Sequence, residues 1–182
     1  MTSQRIGKYA CLETERRYLV KEVPDGLLEM TKGWMIVDCY FPNTRLRLRH
    51  MRSISGNENI YKLTQKYRSE TQNALETTIT NLYLTEEEYN LLEPLEAKII
   101  QKQRYPYHVQ NQHFSIDIFA GRHQGLILAE MEFENESEWS EIVIPLFALK
   151  DVTDDLFFTG GNLALMTDEE FRQGLSQRIR DH

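Results

Sequence analysis

The 182-residue chain reads as an α+β protein, predominantly antiparallel β, whose eight strands form a closed tunnel (barrel) with peripheral helices. Three features carry that expectation: eight short alternating or apolar segments, turn residues between several of them, and charges sorted by sign from segment to segment. Period-two alternation marks half-buried strands, and a run of hairpin-spaced strands avoids exposed edges by closing on itself.

In chain order the segments are Leu12–Val20, Trp34–Phe41, Thr44–Met51, Ile60–Tyr67, Leu75–Asn81, Ile99–Val109, His113–Phe119 and Leu126–Glu134. Pro24-Asp25-Gly26, Pro42-Asn43, Ser55-Gly56-Asn57 and the Gly121–Gly125 stretch supply turns. Thr85-x-x-Glu88 reads as a capping box that opens a helix carrying Tyr89, Leu91, Leu92 and Leu95. Thr167-x-x-Glu170 opens a second helix, with Phe171, Leu175 and Ile179 four apart. Residues 137–149 are ambiguous, with a helical start near Trp139 and then a strand-like EIVIPLF. Repeats and low-complexity linkers are absent, so 1–182 reads as a single domain.

A formal net charge of −7 argues against nucleic acid as a partner, because a polyanion calls for a basic surface field. No stretch approaches the roughly 18 apolar residues of a membrane span, and the N-terminus lacks a signal-peptide run, so a cytoplasmic protein without a membrane partner is expected. Cys11 and Cys39 are too few for a disulfide framework or a zinc site and read as reduced, half-buried thiols. The oligomeric state stays open, a homodimer included.

Residues two apart on a strand share a face, and here those faces are charged. CLETERRYLV aligns Glu13, Glu15 and Arg17; TRLRLRH aligns Arg45, Arg47 and Arg49; YKLTQKY aligns Lys62, Thr64 and Lys66. QKQRY aligns Lys102 and Arg104, LAEMEFE aligns Glu130, Glu132 and Glu134, and Glu76 and Asp117 stand singly on other strands. Any one row alone reads as a solvated strand face; several rows with sorted signs point to a charged interior, with Leu46, Leu48, Met131 and Phe133 outward under the two helices. Burial of so many charges calls for ions or a ligand. Oxygen-only carboxylate donors suit Mg2+ or Mn2+, and Arg and Lys rows suit phosphate oxygens, so the matching ligand is a metal with a polyphosphate.

The order of these motifs resembles the CYTH superfamily of triphosphate tunnel metalloenzymes, which includes class IV adenylyl cyclases, thiamine triphosphatases and inorganic tripolyphosphatases. The likeness runs from Glu13 to about Ala164 through ETERRYLV, RLRLR, KLTQK, KQRY, SIDIFAG, LAEMEF and DVTDD…NLAL; FSIDIFAGRHQGLILAEMEFE is its most specific block. The resemblance implies an eight-stranded antiparallel tunnel. It also implies divalent metal on Glu13, Glu15, Asp117, Glu130 and Glu132, with Glu76 contributing, and triphosphate on Arg47, Arg49, Lys66, Lys102 and Arg104. Arg45 and Lys62 are further phosphate candidates, and Lys102 and Arg17 stand nearest the chemistry. The implied reaction is hydrolysis of a small-molecule triphosphate, inorganic tripolyphosphate first, to pyrophosphate and phosphate. The alternatives are cyclase or thiamine triphosphatase activity, or a polyphosphate-binding module without turnover. Departures from the family pattern are Arg17 in place of Lys, Ala74 and Thr78 in place of charged residues, and Leu156-Phe157 in place of a basic pair.

Overall fold

The structure is a computed structural model that describes residues 9–67, 76–109, 111–133 and 144–180. Leu75, Ala74, Glu134 and residues 137–143 of the ambiguous segment lie outside the described residues.

Among the described residues there are nine strands: β1 (Cys11–Val20), β2 (Trp34–Tyr40), β3 (Leu46–Ser53), β4 (Asn59–Tyr67), β5 (Glu76–Leu84), β6 (Lys98–Val109), β7 (Gln112–Ala120), β8 (Ile127–Glu132) and β9 (Ala148–Asp151). The order is β5-β4-β3-β2-β6-β7-β8-β1, every pairing is antiparallel, and β1 also pairs with β5, which closes eight strands into a barrel. One edge of β1 serves two partners: Cys11–Thr14 pair with β5, and farther along Tyr18–Val20 pair with the extra strand β9. Of the strand-like EIVIPLF, the described part, residues 144–147, is not strand; the strand begins at Ala148.

Closure gives the barrel an outside and an inside with different chemistry. Outward side chains of β1, β6, β7 and β8 (Tyr18, Tyr105, Phe114, Ile116, Ala129, Met131) pack with Leu27 and Phe147. Leu48 and Cys39 pack under α1 (Glu86–Leu92) through Tyr89. The Thr85 capping box forms in both directions. Of the four apolar residues expected on this helix, Tyr89 is buried and Leu92 packs half-buried beside it, while Leu91 and Leu95 are 78% and 53% exposed. Leu91 lies two positions from Tyr89 and so on another face, and Leu95 falls beyond a helix only seven residues long.

The placement expected of the second helix is corrected as well. The helices α2 (Gly160–Leu165) and α3 (Asp168–Arg180) do not cover Met131; their Leu163, Ala164, Phe171 and Leu175 form one cluster with inward-facing Leu19, Ile100, Phe119 and Leu128. They stopper one end of the barrel. Thr167 and Glu170 cap α3 reciprocally, as the sequence motif predicts. Cys11 is exposed and Cys39 buried, both free. Among the described residues no helix is long and apolar enough to cross a membrane.

Candidate active site

Strand register sorts the site. Arg17 stands opposite Glu130 and Glu15 opposite Glu132 across β1 and β8; Arg104 faces Asp117 across β6 and β7; Arg49 faces Asp38, and Arg47 faces Tyr40, across β2 and β3. Together these inward rows wall a cavity of about 70 Å³ lined by Glu13, Glu15, Arg17, Asp38, Tyr40, Arg47, Arg49, Lys66, Lys102, Arg104, Glu130 and Glu132, with Phe158 and Leu163 at the stoppered end. Acidic β1 and β8 form one wall and basic β3, β4 and β6 much of the rest.

The charged groups are held by one another. Asp38, 1% exposed, accepts two hydrogen bonds from Arg49, at 2.5 Å from Nε and 2.7 Å from an η nitrogen, and lies 3.5 Å from Arg47 Nε. Such a bidentate clamp fixes the guanidinium plane. Arg47 also donates to Thr64 Oγ1 at 3.1 Å, and the Thr64 hydroxyl donates to Asn81 Oδ1 at 2.7 Å. Asp117, fully buried, accepts Arg104 Nε and Nη2, each at 2.6 Å, and Lys102 Nζ. Arg104 reaches on to Glu130, which lies 3.5 Å from Arg17 Nε. Arg17 pairs with Glu15, and Lys66 Nζ donates to Glu13 at 3.0 Å. Backbone contacts pin the Arg17 segment: its N–H donates to Thr153 Oγ1 at 3.0 Å and its carbonyl accepts from Val152 at 2.8 Å.

These pairings set the protonation chemistry. Burial acts to raise the Glu130 carboxyl, but Arg104, Lys102 and Arg17 outweigh it and hold the group well below the usual range. Glu15 is raised, first by burial and then by the charge of Glu130. Burial likewise pulls the Lys102 ammonium down, with Asp117 opposing. Asp38 stays low because Arg49 and Arg47 overcome its burial. At this cavity two buried guanidinium donors, Arg17 Nε and Arg47 Nε, lack a hydrogen-bond partner among the described residues, each having an ion-pair carboxylate 3.5 Å away. Unsatisfied buried donors beside a cavity suit an anion.

Other expected residues fall at different depths. Arg45 lies at an outer cavity of about 410 Å³, over the Tyr67 ring at 5.4 Å, with Thr44, Lys66, Thr77, Thr159 and Asn162 nearby. Lys62 stands over the exposed Tyr83 ring at 4.9 Å, off the cavity wall. In β5 it is Thr77 that pairs with Glu13, and Glu76 is in register with Thr14. Glu132 is an exposed rim residue. Phe157 belongs to the stopper, parallel to Phe171 and 4.1 Å beneath the Arg178 guanidinium. Sequence reasoning missed Asp38 and Asn81. The available signal was an acidic residue inside the apolar WMIVDCY, in register with Arg49.

No family model matches the chain. A curated inorganic triphosphatase of Nitrosomonas europaea is 28% identical over 158 residues, which is 84% of this chain and 97% of that protein. A crystal structure of the inorganic triphosphatase NE1496 superposes with a TM-score of 0.58 at 26% identity, covering 85% of this chain and 95% of that one. A second crystal structure of NE1496 gives 0.57 at 27% identity, covering 85% and 98%. Motif order, the closed eight-strand tunnel and these likenesses support the assignment of this chain to the CYTH superfamily of triphosphate tunnel enzymes.

Proposed function

We propose that the tunnel hydrolyses the terminal phosphoanhydride of a triphosphate, with inorganic tripolyphosphate as the first substrate and pyrophosphate and phosphate as products. The observation that carries the reading is the convergence of Arg17, Arg47, Arg49, Lys66, Lys102 and Arg104 on one small cavity, two of them with unpartnered buried donors. The similarity to an inorganic triphosphatase points to the same substrate class.

A divalent cation fits the donor set. Glu13, Glu15, Glu130 and Glu132 offer only oxygen, which suits Mg2+ or Mn2+, and the raised Glu15 carboxyl is one that a cation would relieve. Among the described residues no three acidic, His or Cys side chains already stand in a ligating group, since Glu13, Glu15 and Glu130 are each drawn to an Arg or Lys. When bound, the metal would supply charge neutralisation of the phosphate oxygens and a more acidic water.

The chain's own residues supply alignment. Arg47 and Arg49, oriented by Asp38, and Arg17 would grip phosphate oxygens, so that negative charge developing in a loose transition state meets fixed positive charge. Asp117 serves as the holder of Lys102 and Arg104. Lys102, with its proton loosened by burial, is the group suited to neutralise the departing oxygen. Water adds to the terminal phosphorus, the bridging P–O bond breaks, and pyrophosphate leaves with the bond's electrons.

The test is phosphate release from tripolyphosphate, ATP and thiamine triphosphate in Mg2+, in Mn2+ and in chelator. Metal-dependent release, fastest with tripolyphosphate and reduced about 100-fold in Arg47→Ala, is expected; Glu130→Gln should be at least as damaging. Full turnover in both variants overturns the site. Tight binding without release identifies a polyphosphate receptor.

A further inference from the structure

The carboxylates and cations of this tunnel are already one another's partners. Glu13 holds Lys66 at 3.0 Å, Glu15 holds Arg17, Glu130 holds Arg104, and Asp117 holds both Lys102 and Arg104. The inner cavity they wall, about 70 Å³, shares Glu15, Arg17, Tyr40, Arg47 and Lys66 with the outer cavity of about 410 Å³. A ligand that takes one of these cations or carboxylates as its own partner takes it from the other member of a pair.

We infer that the tunnel takes up its triphosphate and its divalent cation as a linked pair, because each internal ion pair that opens gives its cation to phosphate and its carboxylate to metal. This rests on the triphosphatase reading above and adds the energetics of loading. A dication alone meets carboxylates already neutralised by Lys66, Arg17 and Arg104. A triphosphate alone draws those cations away and leaves Glu13, Glu15 and Glu130 facing its own negative charge in a poorly hydrated interior. Unpaired buried charge is the costly state. When both ligands arrive, every group exchanges one partner for another and none is stranded. Each ligand therefore raises the affinity for the other, and the coupling is reciprocal.

Glu13–Lys66 is the place to test this, since its side chains are 23% and 36% exposed and either can lose its charge without stranding a fully buried partner. Loading at independent sites would leave Mn2+ affinity indifferent to Lys66 and tripolyphosphate affinity indifferent to Glu13, whereas a shared ion pair couples both ligands to both residues. Linked loading makes the loss of either charge favourable to one ligand. The lysine that competes with the metal and the glutamate that competes with the phosphate are the same pair.

The experiment is calorimetry with single ligands: Mn2+ without any phosphate, and tripolyphosphate in chelator. Lys66→Gln should bind Mn2+ about tenfold more tightly than wild type and tripolyphosphate more weakly; Glu13→Gln should bind tripolyphosphate about tenfold more tightly and Mn2+ more weakly, a size within the usual range of site-to-site coupling. Arg178→Gln, which removes an ion pair with Asp155 on the stopper, should change neither. A damaged fold cannot imitate the result, because each variant gains affinity for one ligand. Mn2+ affinity unchanged or weakened in Lys66→Gln, with wild-type tripolyphosphate binding intact, overturns linked loading and leaves the triphosphatase reading standing. No tripolyphosphate binding by wild type, with or without metal, overturns both.

Discussion

Two levels of the same barrel interior differ more than any two strands do. On β1 the inward row runs Glu13, Glu15, Arg17 and then Leu19; on β8 it runs Glu132, Glu130 and then Leu128; on β6, Arg104, Lys102 and then Ile100; on β7, Asp117 and then Phe119. Each of these rows changes from charge to hydrocarbon along its length, and the hydrocarbon ends meet in one cluster. There Phe158, Leu163, Phe171 and Leu175 complete an apolar core; at the charged ends Arg, Lys, Asp and Glu pair around a cavity. Period two puts a side chain inside, but what the inside is depends on what closes over it.

The largest effects should separate the two levels. Phe171→Ala removes a ring that is 1% exposed in the stopper and should cost about 3–5 kcal/mol of stability. Asp38→Asn takes the counterion from buried Arg47 and Arg49 and should cost a similar amount, about 3–5 kcal/mol. Urea denaturation reads both. Tripolyphosphate affinity, measured on the folded fraction, should distinguish them: close to wild type for Phe171→Ala and clearly changed for Asp38→Asn, whose loss unclamps Arg49. Equal binding defects would mean that stopper and charged level are one cooperative unit.

An intermediate effect is expected where the levels touch. A Cβ built on Gly160, at the start of α2, would run into the hydroxyl end of Tyr40, and Tyr40 lines the charged cavity beside Arg47. Gly160→Ala should therefore cost about 1–3 kcal/mol by overpacking and also weaken tripolyphosphate binding. Tyr40→Phe in the same chain removes the nearest atom and should restore part of both. If Gly160→Ala lowers stability alone, Tyr40 does not transmit between the levels.

The charged level was the more readable of the two, for a physical reason. A row such as Arg45-x-Arg47-x-Arg49 carries its period and its sign in a few consecutive residues, so strand, face and chemistry come out of one short segment. All eight barrel strands were identifiable from alternating or apolar segments and the turns between several of them, most within one or two residues of their ends. The stopper has no local signature. Leu19, Ile100, Phe119 and Leu128 look like ordinary core residues until chain closure gathers them into one cluster, and Gly160–Leu165 is six residues with two glycines, too short and too glycine-rich to announce a helix. Asp38 was hidden for the same reason: one acid in an apolar strand acquires meaning only when β3 brings Arg47 and Arg49 alongside. Arg45 and Lys62 failed to join the inner site although their period was right, since Arg45 sits in the turn before β3 and Lys62 on a stretch of β4 away from the cavity wall.

The smallest effect is a pH dependence whose sign differs between levels. His123 is fully buried under the stopper, donating from Nε2 to the Leu163 carbonyl at 2.8 Å while Nδ1 has no partner, with Phe119 and Phe171 edge-on and Arg122 and Asp168 as the nearby charges. Burial lowers its pKa, with the Leu163 bond opposing and Arg122 adding to the depression. A depressed folded-state pKa means stability that is present above the unfolded value of about 6.5 and lost as pH falls below it. Glu15 acts in the opposite sense: burial and Glu130 raise its pKa, so the folded state takes up a proton before the unfolded chain does, and acidification from neutrality toward 4.5 relieves the charged level. Asp38, held low by Arg49 and Arg47, gives up stability only below the ordinary aspartate range. Mild acid should therefore loosen the stopper while the charged level holds. Hydrogen exchange at pH 7 and pH 5.5 should show faster opening of α2 and α3 amides at the lower pH, with β3 and β8 unchanged or slower. His123→Gln, which keeps an N–H donor for Leu163 and cannot titrate, should abolish that difference; if α2 and α3 still open faster at pH 5.5 in this variant, the acid sensitivity of the stopper comes from a group other than His123.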